Sequence, residues 1–246
     1  MKFSDIGIII SIKNYSENSA IIKVFSQNHG IYRGFVSSPK SKKNQAIFQI
    51  GNLISFEWRC RNEDGLGSFY YSDLIKSFAA KIIFDRLKLS CCSSLFSIIE
   101  SCFLERENHH RLFTKIHNFL LKISDNDIKK ASFLTDYIKL ELKILETLGY
   151  GVDLSSCAVT ESTNDLVFVS PKSARAVSFE AGRAYESKLL KLPQFLLAEN
   201  QNEADGIEDY QLCEGLKLSG YFLEKYVFAE KGMKPSSRAH IELMAK

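Results

Sequence analysis

Alternation of apolar and polar residues organises the first third of the chain. Successive side chains on a strand face opposite ways, so a period of two marks a half-buried strand. That period recurs over Gly7–Lys13, Ala20–Phe25, Ile31–Ser37, Asn52–Arg61 and Phe69–Ile75. Polar or glycine-bearing turns separate these runs: Asn14–Asn18, Asn28–Gly30 and the hairpin signal Glu63-Asp64-Gly65. In the third run Ile31, Arg33, Phe35 and Ser37 share one parity, with Tyr32, Gly34 and Val36 on the other. In the fourth, Leu53, Ser55, Glu57, Arg59 and Arg61 alternate with Ile54, Phe56, Trp58 and Cys60. A basic row is thereby set against a large apolar one.

After Phe78 the period lengthens to that of a helix. Phe84, Leu87, Leu95, Ile98, Ile99 and Phe103 recur at helical spacing, as do Leu112, Ile116, Phe119 and Leu120. The strongest helix covers Ile128 to Leu148 and is ended by Gly149 and Gly151. A final helix is expected from near Asp205 to about Glu230, stopped by Gly232. Between them, residues 150–185 lean towards strand, with Val167–Val169 and Ala176–Ser178 joined by Ser170-Pro171-Lys172-Ser173. The expected fold class is α+β. It places a five-stranded OB-type β-barrel over residues 1–80, with an SH3-like barrel as the alternative, then an α-helical domain over 81–246 carrying a small hairpin insertion.

Charge sharpens this picture. Residues 1–80 hold ten Lys or Arg against six Asp or Glu, a net of +4, whereas the whole chain is +3. The basic character is local and points to an anionic partner for the barrel. Candidate phosphate contacts are Arg33, Arg59, Arg61 and the lysines of a mobile cationic loop, Lys40, Lys42 and Lys43. A plain solvated loop is the alternative for those lysines. Tyr32, Phe56 and Trp58 are of the type that stacks bases, although parity turns Phe56 and Trp58 towards the core. Lys172 and Arg175 form a secondary basic spot at the tip of the insertion.

Other classes find little support. Hydrophobic content of 45% with a mean hydropathy of −0.10 is that of a globular protein. The apolar run Ile6–Ile10 follows Asp5 and reads as a first strand, not a signal peptide. No apolar stretch approaches the roughly 18 residues of a membrane span. Six scattered cysteines suit reduced thiols in a cytosolic protein, and Cys91-Cys92 reads as core. His109, His110 and His117 have no companion carboxylate or cysteine pattern and read as a solvated helix end. No nucleophile elbow is present, and Gly65-Leu66-Gly67 fits a hairpin turn better than a dinucleotide loop, so the expectation is a protein that is not an enzyme.

The run Leu148-Gly149-Tyr150-Gly151-Val152-Asp153-Leu154 followed by Cys157 adds a further signal. With Ser170-Pro171-Lys172-Ser173, Glu180-Ala181-Gly182, the Gly30…Lys43 pattern and the closing Lys234-Pro235-Ser236-Ser237-Arg238, it resembles the bacterial RecO family of DNA repair proteins. The resemblance covers nearly the whole chain. It implies an OB-fold, a helical domain and an insertion that binds zinc in some relatives. It also implies a cytoplasmic, nucleoid-associated recombination mediator that binds single- and double-stranded DNA, anneals complementary strands and works with RecR to help RecA displace single-strand-binding protein. The acidic tail of that protein is a further implied partner, for which Leu216, Lys217, Tyr221, Phe222 and Lys225 are the candidate residues. The chain departs from the zinc-binding relatives: only Cys157 is kept, Thr160 stands three residues on, and Phe168–Phe179 contains no Cys or His. One ligand cannot hold zinc, so neither metal nor cofactor is expected. The competing reading is a protein-interaction adaptor whose barrel binds a partner protein and not DNA.

Overall fold

The computed structural model describes residues 1–61, 65–197, 206–229, 232 and 235–245. Two compact units are formed, Met1–Asn126 and Asp127–Lys246. In the first, β1 (Lys2–Ser16), β2 (Ser19–Ser26), β3 (Gly30–Ser37), β4 (Leu53–Arg59) and β5 (Gly67–Lys76) close a barrel in the order β1-β2-β3-β5-β4. Each expected strand is present. β1 is far longer than its apolar period because it serves two neighbours: Lys2–Ile8 pair with β4, and Gly7–Ser16 pair with β2. Of the hairpin signal, Glu63 and Asp64 lie outside the described residues.

Closure happens at one short parallel seam, where Gly34 and Phe35 of β3 meet Gly67 and Ser68 of β5. Trp58 of β4 fills the interior behind it. Its indole N–H donates to the Arg33 carbonyl at 3.0 Å, and its ring lies so close to Gly67 that a Cβ there would sit 2.1 Å from it. No side chain fits at that position, which is why a glycine opens β5. Around Trp58 the core gathers Ile9, Ile22, Val24, Tyr32, Ile54, Phe56 and Phe69.

Among the described residues α1 (Lys42–Ile47), α2 (Ala79–Ile82), α3 (Arg86–Cys102) and α4 (His110–Ile123) complete this unit. The change of rhythm near residue 80 marks a change of element type, while the compact unit runs on to Asn126. The segment after α3 is laid on the β2–β3 turn, where the Arg106 N–H donates to the Ile31 carbonyl at 3.0 Å. Gly30, at φ +80°, passes so close to Glu107 that a Cβ would meet its carbonyl oxygen at 1.9 Å. Two sequence expectations change here. Asp85 caps α3 by accepting from the Leu87 and Lys88 N–H groups, so Phe84 falls outside the helix and is 96% exposed. His110 is exposed, whereas His109 and His117 are half-buried against aromatics, His109 against Phe103 at 4.7 Å and His117 against Phe78 and Phe113.

The second unit holds α5 (Lys130–Thr147), β6 (Leu166–Val169), β7 (Ala176–Ser178), α6 (Phe179–Gly182), β8 (Leu190–Lys191), α7 (Asp209–Leu223) and α8 (Ser236–Met244). The insertion is more than a hairpin, since β8 joins it in the order β7-β6-β8. α7 starts at Asp209 behind a capping box of Glu208 and Gln211, and its last turn widens to a π-helix over Glu224–Phe228. Asp205, the expected start, lies outside the described residues. α8 is short and largely polar, which hid it from the period.

One buried ion pair ties three of these helices together. Arg238 of α8 and Glu141 of α5 are both fully buried and meet twice, Nε to Oε1 at 2.6 Å and Nη2 to Oε2 at 3.1 Å. The Tyr137 and Ser219 hydroxyls donate to the same carboxylate at 2.6 Å each, and Arg238 Nη2 also donates to the Leu216 carbonyl of α7 at 2.7 Å. A buried pair satisfied this fully offsets its desolvation and sets the register of the three helices.

Two outcomes are expected. Gly67→Ala drives a methyl into Trp58 and costs about 2 kcal/mol by overpacking, measured by denaturant unfolding followed through the single tryptophan. Arg238→Met strands the Glu141 carboxylate and costs about 3 kcal/mol or more, while adding Glu141→Leu recovers much of that loss. Hydrogen exchange of α5 amides reads the second effect.

Candidate nucleic-acid interface

The two faces of the barrel strands have different fates. Inward side chains form the core, and the outward row splits into a covered half and an open half. At the β2–β3 turn the outward residues Phe25 and Ile31 are buried, Phe25 meeting Phe113 of α4 at 5.8 Å. Beyond the seam Ser68, Arg59 and Lys2 are exposed, with Phe35 and Ile21 half-buried beside them. Following the pairing across the barrel, Ile21 of β2 lies opposite Phe35 of β3, and Phe35 opposite Ser68 of β5. Ser68 in turn lies opposite Arg59 of β4, and Arg59 opposite Lys2 of β1. One continuous outer row therefore crosses every strand.

Aromatic rings stand on this row. Tyr15 packs edge-on against Phe35 with centroids 5.0 Å apart. Arg59 lies 3.6 Å over the Tyr70 ring, and Tyr70 and Tyr71 are 69% and 55% exposed. Two consecutive outward tyrosines break strand alternation, and a β-bulge explains them. Trp58 pairs with Phe69 while Glu57 pairs with Tyr71, which leaves Tyr70 as the extra residue. Glu57 binds both Lys2, at 3.0 Å, and Arg59, and those two cations hold its carboxyl below the usual range.

The candidate cations fall into distinct places. Arg59 belongs to the open row, and Arg61 follows just beyond β4, exposed. Arg33 does not share that row: it pairs in register with Lys23, and Glu105 holds it at 3.3 Å. Lys13 and Lys23 share the single carboxylate of Glu100, as Lys2 and Arg59 share that of Glu57. Lys40, Lys42 and Lys43 are exposed and make no ion pair among the described residues. Their segment is not the mobile loop expected. The Ser38 N–H donates to the Asn18 carbonyl at 2.7 Å, Asn44 Nδ2 donates to the Ser37 and Ser38 carbonyls, and Ser41 caps α1, which carries Lys42 and Lys43.

Of the aromatic candidates, Phe56 and Trp58 are core as parity indicated. Tyr32 is core as well, 4% exposed beneath Phe3 and Trp58, and cannot stack a base. The sequence reading missed Lys2, Tyr15 and Tyr70 altogether. Phe35 was on view in the parity of Arg33, but the bulge that turns Tyr70 outward has no signature in the period.

In the second unit Lys172 is exposed at the β6–β7 turn, whereas Arg175 is spent inside the insertion, 3.4 Å from Asp153 and bonded to Ser156. Cys157 packs there too: its sulfur accepts the Ser178 and Val159 N–H groups at 3.3 and 3.5 Å. Burial raises its thiol pKa, and the hydrogen bonds from Ser178 and Thr160 outweigh that and draw it down to about 6. Of the partner candidates, Phe222 is fully buried, which removes it from any docking surface. Leu216, 1% exposed, floors a cleft of about 340 Å³ whose wall includes Lys217 and Leu243. Tyr221 and Lys225 are exposed, and Lys225 donates to the Pro171 carbonyl at 2.7 Å.

Comparison with known proteins covers nearly the whole chain. The family model described as "Recombination protein O N terminal" matches residues 1–78, and "Recombination protein O C terminal" matches residues 83–234. The DNA repair protein RecO of Rickettsia rickettsii (strain Iowa) is 39% identical over 242 residues, 98% of each chain. That of Rickettsia bellii (strain OSU 85-389) is 41% identical over 228 residues, 93% of this chain and 90% of the relative. With both halves matched in order and identity near 40% along their length, this chain belongs to the RecO family of DNA repair proteins.

Proposed function

We propose that this protein is a non-enzymatic recombination mediator that binds DNA through its barrel, anneals complementary strands and helps RecA load onto strands coated by single-strand-binding protein. The observation that carries the reading is the open outer row, in which Phe35, Ser68, Arg59 and Lys2 run side by side across the barrel. Cations that track a backbone, interleaved with exposed rings, are what a sequence-tolerant single-strand site requires. Lys40, Lys42, Lys43 and Arg61 extend the positive surface, while Arg33 contributes less because Glu105 neutralises it. Duplex DNA meets the same phosphate contacts. RecR and the acidic, apolar tail of single-strand-binding protein complete the proposed partners, the tail in the cleft of Leu216, Lys217 and Leu243. The proposed location is the cytoplasm, at the nucleoid; no helix among the described residues is long and apolar enough to cross a membrane.

Binding of a fluorescent single-stranded oligonucleotide across a salt series tests this. If about five cations each meet a phosphate, log affinity falls with log salt at a slope of roughly −3.5, and neutralising Lys40, Lys42 and Lys43 together flattens it by about 2. An unchanged slope removes those lysines from the site. Absence of binding at low salt overturns the reading in favour of a protein-binding adaptor.

A further inference from the structure

Beside Tyr70 the barrel surface is not flat. Between the start of β1 and the β4–β5 connection lies a recess of about 680 Å³, lined among others by Lys2, Arg59, Arg61, Leu66, Ser68 and Tyr70. Its volume falls within the range of small-ligand sites and accommodates a nucleotide. The chemistry of its wall is unusual for a solvated surface. Tyr70 is 69% exposed, and the Arg59 guanidinium lies over its ring, 3.6 Å from the centroid. Glu57 holds the same guanidinium through its Nε. The bulge that presents Tyr70 does nothing for the core, since Phe69 and Trp58 already pair inside.

We infer that this recess takes one unpaired nucleobase, stacked on the Tyr70–Arg59 pair, with the adjoining phosphates against Lys2 and Arg61. The inference rests on the DNA-binding reading and deepens it, because it makes the site selective. Phosphate contacts alone do not distinguish single strands from duplex, whereas a base in a duplex has both faces covered by its stacked neighbours. Only an unpaired base can enter. The recess thus turns a general polyanion surface into one that prefers single strands, whatever their sequence.

The test compares three probes of equal length: a thymidine oligonucleotide, its duplex, and an oligonucleotide whose every position is an abasic sugar-phosphate. The wild-type protein is expected to bind the abasic strand about tenfold more weakly than the thymidine strand. Tyr70→Ala is expected to narrow that preference severalfold by weakening the thymidine strand alone, with the salt slope unchanged. Tyr70→Phe keeps the preference, which separates stacking from the hydroxyl, and the fluorescence of the buried Trp58 reports that each variant is folded. Equal wild-type affinity for abasic and thymidine strands, or a Tyr70→Ala variant that keeps the full wild-type preference for thymidine, overturns the inference. If the salt slope and its dependence on Lys40, Lys42 and Lys43 survive such a result, DNA binding stands and the recess alone is rejected. If neither strand binds at low salt, both readings fall together.

Discussion

Closure of the barrel on Trp58 is the constraint from which the rest of the first unit follows. The five strands close through one narrow seam, and Gly34 and Gly67 make it narrow by offering no side chain where β3 and β5 meet. Trp58 occupies the space behind the seam and anchors it with a hydrogen bond to Arg33. With the interior committed to apolar rings, every alternate residue is forced outward, and the seam aligns Phe35, Ser68 and Arg59 in neighbouring strands. The candidate interface is a by-product of how the barrel shuts. The bulge at Tyr70 is the one departure from strict alternation in that stretch of β5, and it adds a ring to the open side.

The second unit solves a different problem. Its helices have apolar faces broad enough to pack in several registers, and apolar contact is not directional. Glu141 and Arg238 supply direction. The carboxylate accepts from Tyr137, Ser219 and Arg238, and the guanidinium also reaches the Leu216 carbonyl, so a slip of α5, α7 or α8 would strand a buried charge. The same network fixes Leu216 at the floor of the cleft proposed for an acidic peptide.

Much of this was legible in the residues, for identifiable reasons. The five strands and the parity of Phe56 and Trp58 follow from side-chain alternation, a property local to each strand. The long helices α3, α4, α5 and α7 follow from their apolar stripes. What was not legible depends on distant partners. The burial of Tyr32 is decided by Phe3 and Trp58, the neutralisation of Arg33 by Glu105, and the ordering of the lysine segment by Asn18 and Asn44. Phe222 was read as a surface anchor because a helix stripe cannot say which of its apolar residues has a neighbour above it. The packing of α3 and α4 with the barrel is also silent in the period, which registers a change of element and not a change of core.

The central claim is that the open row of the barrel touches DNA. Photocrosslinking with a single strand carrying 5-iododeoxyuridine, followed by peptide mapping, tests it most directly, because the reaction favours aromatic side chains in contact with a base. Adducts are expected on Tyr70 and on Phe35 or Tyr15, within the first unit. Adducts confined to residues 127–246, with none on the barrel, would contradict it.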